Sequence, residues 1–157
     1  MWGIQTWELL SYVVTVVGLP LAISVFIFEQ RKERDNEEEE VYQLLSDNYQ
    51  DFLKITLEHP DLRLFASEET PSLSAEQRER IFIIFSMLIS LFERAYLLLY
   101  EDDMKEKQLR RWRSWEDYMG EWCNRADFRA SLPALLRGED PEFAAYIQKL
   151  AASTPVA

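Results

Sequence analysis

The sequence has very few of the residues from which reactive sites and tight loops are built: one cysteine, one histidine and four glycines among 157 residues. A single cysteine excludes a disulfide within the chain, and a single histidine excludes a histidine-rich metal site. The glycine-rich phosphate loop, the dinucleotide-binding fingerprint and the G-x-S-x-G nucleophile elbow are all missing. We therefore expect a protein with no catalytic residues, no metal and no cofactor.

Positive charge is also scarce, with 17 lysines and arginines against 28 acidic residues and a net charge of −11. Such a balance disfavours general binding to nucleic acid or to anionic lipid. After residue 28 no run of alternating β-branched residues occurs, whereas apolar residues recur at steps of three and four. This spacing predicts an all-α protein with a bundle of about four helices.

The longest uncharged stretch is Leu9–Phe28, LLSYVVTVVGLPLAISVFIF. Its length matches the roughly 20 apolar residues that a helix needs to cross a bilayer. The residues before it contain no lysine or arginine, and no small-residue cleavage site follows, so a retained anchor is favoured over a cleaved signal peptide. Gly18 and Pro20 weaken the helix in mid-span, and we expect them to form a face that packs against copies of the span.

Basic residues near the span predict its orientation. Arg31, Lys32 and Arg34 follow the span, whereas only Glu8 and the amino terminus precede it. The positive-inside rule then places the N-terminus outside and the rest of the chain in the cytoplasm. The sequence thus predicts a transmembrane anchor at 1–30, a cytoplasmic helical bundle at 31–151 and a flexible tail at 152–157.

Local signals predict where the helices begin and end. The first continues from Glu29 and ends near His59, because Pro60 disfavours helical geometry in the residue before it. Ser74 and Gln77 fit a capping box at the start of the second helix. The remaining predicted elements are a helix over Lys105–Cys123, a short helix over Asp127–Leu132 that ends at Pro133, and a last helix capped by Asp140 and started by Pro141.

The second helix is apolar on nearly every side from Ile81 to Tyr100, so its composition would also suit a second membrane span. A second span would carry the basic residues from Lys105 to Arg113 out of the cytoplasm, against the positive-inside rule. We therefore expect Ile81–Tyr100 to be the central helix of the bundle.

Glu93 and Arg94 are the two charges that interrupt this apolar stretch. A buried charge without a partner is costly, so the sequence predicts a structural ion pair between Glu93 and Arg110 or Arg113. The alternative is a polar pocket around Glu93 and Arg94 that holds a ligand.

Three tryptophans of the third helix, Trp112, Trp115 and Trp122, share one face at helical spacing. Such a stripe is typical of core packing. The alternative is an aromatic surface that stacks on nucleobases or on the ring of a ligand.

Three short motifs carry a family resemblance: Tyr49-Gln50-Asp51-Phe52-Leu53, His59-Pro60-Asp61-Leu62 and Glu93-Arg94-Ala95-Tyr96. With the preceding anchor and the tryptophan-rich helix, the stretch Val41–Phe128 resembles bacterial single-pass, membrane-anchored helical proteins of uncharacterised function. The resemblance implies a location in the inner membrane and no activity. The layout of one span and a cytoplasmic bundle is also similar to small membrane accessory proteins of CRISPR and other anti-phage systems.

These observations predict a membrane-tethered, non-catalytic interaction or oligomerisation module at the cytoplasmic face of the inner membrane. Its expected partners are the lipid bilayer and either further copies of the chain or another membrane or cytoplasmic protein. Two alternatives remain open: a homo-oligomeric pore or membrane-disrupting effector of a defence system, and a small-ligand sensor or enzyme built around Glu93 and Arg94.

Overall fold

The computed structural model describes residues 19–66 and 70–155. Within these residues the regular structure is entirely helical, as predicted, and comprises five α-helices and one 3₁₀ turn. The elements are α1 (Leu19–Glu58), the 3₁₀ turn (Pro60–Leu62), α2 (Ala75–Leu99), α3 (Glu106–Cys123), α4 (Ala126–Leu135) and α5 (Pro141–Ser153). Gly18 and the rest of residues 9–18 of the predicted span lie outside the described residues.

The chain divides into two units, and the boundary between Val41 and Tyr42 lies within α1. In the first unit, α1 begins at Leu19 with Pro20 as its second residue, and the Ser24 hydroxyl donates to the Pro20 carbonyl at 2.8 Å. This bond inside the helix satisfies the hydroxyl without a water molecule. The large apolar side chains of this part of α1 are exposed: Leu19, Leu21, Ile23, Val25, Phe26, Ile27 and Phe28.

Within the described part of the chain, α2 is the one helix that is long and apolar enough to cross a membrane, and it is not N-terminal. Half of its most apolar window is buried inside the second unit. The inner face of α2 packs against α3, α4 and α5 and buries Ile84, Phe85, Leu88, Ile89, Phe92 and Ala95. The prediction that Ile81–Tyr100 forms a central helix is therefore confirmed for its inner face.

The predicted helix caps at Ser74 and Asp140 are confirmed. The Ser74 hydroxyl accepts from the amide of Gln77 at 3.1 Å, and the Gln77 side chain accepts from the Ser74 amide at 2.9 Å. Asp140 accepts from the amides of Glu142 and Phe143 at the start of α5. Both caps satisfy amides that the first turn of a helix leaves free, and so fix where α2 and α5 begin.

Two predicted helix ends were wrong. Pro133 does not end the fourth helix, which continues to Leu135, because proline removes only one hydrogen bond and the amide of Leu136 still donates to the Leu132 carbonyl at 2.9 Å. Burial of Leu132 and Leu135 holds this last turn in place. α5 continues through Ser153, two residues into the predicted tail.

The core of the second unit is centred on Trp122 of α3, which is almost completely buried. Its indole ring contacts the rings of Phe52, Phe65, Phe85 and Phe128, with centroids 5.2–6.1 Å away. These rings belong to α1, the loop after the 3₁₀ turn, α2 and α4 respectively. One side chain of α3 thus joins four other segments of the chain.

Replacing Trp122 with alanine is expected to lower the free energy of unfolding by about 3–5 kcal/mol, because the mutation removes these contacts and leaves a large cavity. Chemical denaturation of the detergent-solubilised chain, followed by circular dichroism, measures the change. The matched control is Leu57→Ala, since Leu57 is 78% exposed and its truncation should change stability by less than about 0.5 kcal/mol. Equal effects of the two substitutions would contradict this description of the core.

Candidate interaction surface

The side of α2 that points away from α3, α4 and α5 is an exposed apolar surface, which we call the outer face. It consists of Phe82, Ile83, Ser86, Met87, Ser90, Arg94, Leu97 and Leu98, which share one side of the helix. The five large apolar members expose between 43% and 57% of their surface. Contiguous apolar patches of this kind on a protein surface mark sites of contact with a protein or a membrane.

A groove of about 600 Å³ runs along part of the outer face, between α2 and the last turns of α1. The wall on α1 contains Asn48, Asp51 and Ile55, and Ile83 and Met87 stand on the other wall. The lining is mostly apolar and the groove is open along its length. Its shape suits a helix or a row of side chains better than a small molecule, which proteins bind in more enclosed pockets.

Three contacts join the turn that follows α1 to the first turns of α2. Arg80 of α2 lies 3.3 Å from the His59 ring and donates to Asp61 at 3.1 Å, and Gln77 donates to Asp61 at 3.0 Å. They hold the C-terminal end of α1 beside the N-terminal end of α2. The two helices therefore run antiparallel along the groove.

Arg94 is the one charged residue of the outer face, and it is exposed. Within the described residues it has no hydrogen bond or ion pair. Asp51, the acidic residue of the groove, forms a surface pair with Lys54 at 2.7 Å. Such exposed pairs contribute little, so Asp51 can exchange this partner at low cost.

Glu93 lies beside the outer face but points toward α5. Its carboxylate accepts from the amide of Asp140 at 2.5 Å, and not from Arg110 or Arg113 as the sequence suggested. Burial raises the pKa of the neighbouring Glu139 to about 7, helped by its hydrogen bond to Glu93 and the charge of that carboxylate. The partner of Glu93 was mispredicted because it comes from a loop more than forty residues away, and sequence spacing does not reveal such a contact.

The tryptophan face is core, as the sequence favoured. Trp112, Trp115 and Trp122 are each at most 2% exposed, so their rings have no free surface for a nucleobase or ligand. The indole N–H of Trp112 donates to the Tyr146 hydroxyl at 3.3 Å, and Tyr146 donates to Glu116. Burial raises the pKa of Tyr146, and the bond to Glu116 raises it further.

Sequence reasoning missed Arg125, the most connected side chain of the second unit. Its guanidinium is buried, forms a two-pronged pair with Asp127 at 3.0 and 2.7 Å, and donates to the carbonyls of Arg63, Leu64 and Ala66. These bonds tie the loop after the 3₁₀ turn to the start of α4. The one signal in the sequence was an arginine two residues before an aspartate at a helix start, which is too common to single out.

No set of three or more histidine, cysteine or carboxylate side chains in the described residues is arranged to hold a metal ion. No protein family, curated protein sequence or solved structure matches the chain. The outer face of α2 and the groove beside it therefore stand as the candidate functional surface on physical grounds alone.

The raised pKa of Glu139 predicts that the stability of the folded chain depends on pH. The folded chain holds the proton of this carboxyl up to pH about 7, whereas the carboxyl of the unfolded chain loses it near pH 4.5. The contribution to stability is therefore complete below pH 4.5 and lost as the pH rises to about 7. Because the site is partly open to solvent, we expect a loss of about 1 kcal/mol.

The measurement compares the free energy of unfolding of the wild type and of Glu139→Gln between pH 4.5 and 8. The wild type should lose about 1 kcal/mol relative to the variant over this range. Glu93→Gln is the second comparison. It removes the negative charge that helps to raise the pKa of Glu139, so the stability of this variant should also depend less on pH than that of the wild type. Parallel profiles for the three proteins would show that Glu139 does not hold the proton.

Proposed function

We propose that this chain is a membrane-tethered, non-catalytic interaction module whose contact surface is the outer face of α2. The tether is Leu9–Phe28, and the second unit lies at the cytoplasmic face of a bacterial inner membrane. The observation that carries the proposal is the row of half-exposed apolar side chains on α2. The sequence immediately before and after this row is polar. Leaving such a surface in water forgoes about 25 cal/mol for every Å² that a partner would cover.

Support for the tether comes from the sequence and from the first turns of α1. The apolar side chains from Leu19 to Phe28 are exposed, as they must be in a helix that faces lipid. The basic residues that follow, Arg31, Lys32 and Arg34, favour the cytoplasmic side. α1 continues through these residues to Glu58 without a break.

The alternative of a ligand sensor or enzyme around Glu93 and Arg94 has less support. Glu93 is occupied by the amide of Asp140, and Arg94 points onto the open outer face. The two side chains thus do not converge on one pocket. A protein contact uses the same residues without requiring an enclosed site.

The tether predicts how the chain distributes between membrane and soluble fractions. Deletion of residues 1–28 should release the chain into the soluble fraction, because the remaining surface is acidic and no uncharged run of 20 residues is left. Carbonate extraction followed by immunoblotting measures the distribution. Replacing Leu9–Phe28 with an unrelated apolar span of equal length should restore membrane retention.

The tether would be contradicted if the unmodified chain were found in the soluble fraction, or if the chain without residues 1–28 stayed with the membranes. If the unrelated span restores retention and function alike, the segment acts as an anchor. If it restores retention but function is lost, the span itself forms the active assembly, as a pore would require.

The contact surface predicts protection of the outer face from chemical labelling. Met87→Cys and Ile83→Cys should react with a water-soluble maleimide at least about tenfold more slowly than Leu57→Cys, because a partner covers them. The native Cys123 does not interfere, since it is buried and its pKa is raised to about 11, so the thiol stays protonated. The full chain is labelled in membranes and again in detergent.

Dilution of the solubilised chain at constant detergent separates the sources of protection. Protection by a protein partner weakens on dilution, whereas shielding by lipid or detergent does not. Equal labelling of all three cysteine variants in membranes would contradict the proposed contact surface.

A further inference from the structure

The central row of the outer face of α2 is spaced nearly evenly on both sides of Ser90. Its central row is Ile83, Met87, Ser90, Arg94 and Leu98, with the smallest residue in the middle and branched apolar residues at both ends. If two such helices pack antiparallel with Ser90 at the crossing point, each Ile83 meets a Leu98 and each Met87 meets an Arg94. A surface that matches itself after a half-turn is what a twofold interface requires.

The groove beside the outer face adds one negative charge, that of Asp51, and its position along α2 follows from the contact between His59 and Arg80. His59, at the end of α1, touches Arg80 of α2, and the helices run antiparallel from that contact. Asp51 lies eight residues before His59, and Met87 lies seven residues after Arg80. Counting about 1.5 Å per residue along two helices that run side by side places Asp51 level with Met87. Arg94 is a further seven residues along, about 10 Å away. The two charges of the groove are thus offset along it, and the ion pair that Asp51 forms in the described residues is with Lys54 and not with Arg94.

A twofold rotation about an axis through Ser90 brings Arg94 of one copy near Asp51 of the partner subunit. Arg94 of one copy then stands opposite Met87 of the partner subunit and therefore level with Asp51 of the partner subunit. By symmetry the interface contains this pair twice. Each copy contributes one cation that has no partner in the described residues and one carboxylate whose present partner is an exposed lysine.

We propose that the outer face of α2 is a twofold interface between copies of this chain, in which Arg94 of each copy pairs with Asp51 of the partner subunit. The inference rests on the proposed function, because it names the partner of the same surface. Five side chains, each about half exposed out of roughly 200 Å², offer on the order of 500 Å² per copy. A pair buries on the order of 1,000 Å², which reaches the lower bound for a specific interface.

Charge favours a second copy over the other occupants. Burying Arg94 without an anion would leave an uncompensated charge, which a lipid tail cannot relieve. The net charge of −11 on each copy repels a second copy, and the two Arg94–Asp51 pairs offset part of that repulsion at the interface. Ser86 can be covered at no cost, since its hydroxyl already donates to the Phe82 carbonyl at 2.8 Å.

The test exchanges the two charges in separate copies of the full-length chain. Arg94→Asp alone places two carboxylates opposite each other, and Asp51→Arg alone places two cations opposite each other. Each single variant should lose self-association by at least about tenfold in Kd. An equimolar mixture should recover it, because one pair is then native and the other is reversed. The readouts are light scattering of the detergent-purified chains and co-purification of differently tagged copies.

Matched controls come from α3, where Arg113 and Asp117 are exposed and lie outside the groove. Arg113→Asp and Asp117→Arg change the net charge by the same amounts and should leave the wild-type mass unchanged, alone or mixed. The double variant Arg94→Asp/Asp51→Arg should self-associate like the wild type. Circular dichroism verifies that each variant is folded.

The outcomes separate this inference from the proposed function. If the wild type self-associates and the outer face is protected, but the mixture does not recover association, the Arg94–Asp51 pairing is overturned while the interaction surface stands. If the outer face is protected in membranes and the wild type is a single chain at every concentration, the partner is another molecule and the twofold interface is overturned. An unprotected outer face overturns both.

Discussion

The structure depends on α2, a helix that is apolar on two sides. The described part of the chain covers only one of these two sides. α2 buries Phe85, Leu88 and Phe92 against α3, α4 and α5, and it contributes more buried residues to the second unit than any other described helix. These helices leave the opposite side of α2 exposed. The outer face is the consequence: the same composition that makes α2 a stable centre leaves Ile83 and Met87 half in solvent. The surface that a partner can cover is therefore the side of α2 that the second unit leaves unpacked.

Polar contacts serve the core by fixing the segments around α2. Arg125 satisfies three loop carbonyls and pairs with Asp127, so that a loop carrying Phe65 is held against Trp122. A guanidinium suits this task because its donors lie in a fixed plane and reach several acceptors at once. At the other end of α2, Glu93 fixes the start of α5 through the amide of Asp140. Glu93, which looks like part of a site in the sequence, is here part of the framework.

Whether a contact could be predicted from the sequence depends on how far apart its two residues lie along the chain. The cap at Ser74 and the tryptophan stripe were predictable, because their partners lie within one or two turns and leave a periodic pattern. The partner of Glu93 and the loop bound by Arg125 were not, because they join residues 47 and about 60 positions apart. Pro133 was misread as a helix end because tertiary burial of Leu135 outweighs one lost hydrogen bond. The outer face was hidden because uniform hydropathy does not reveal which side the bundle covers.

The same uniform hydropathy explains why α2 also qualifies as a membrane span, and the position of Arg94 bears on that choice. In hydrocarbon an arginine near the middle of a helix costs about 2.5–3.5 kcal/mol on insertion scales, with no carboxylate to offset it. Against a second copy the same arginine meets Asp51, and its aliphatic stem still covers Met87. A span would also have to strip α3, α4 and α5 from the inner face and expose Phe85 and Phe92 to lipid. In the proposed arrangement, pairing two outer faces keeps that core intact, gives Arg94 an anionic partner, and leaves membrane attachment to the uncharged segment Leu9–Phe28.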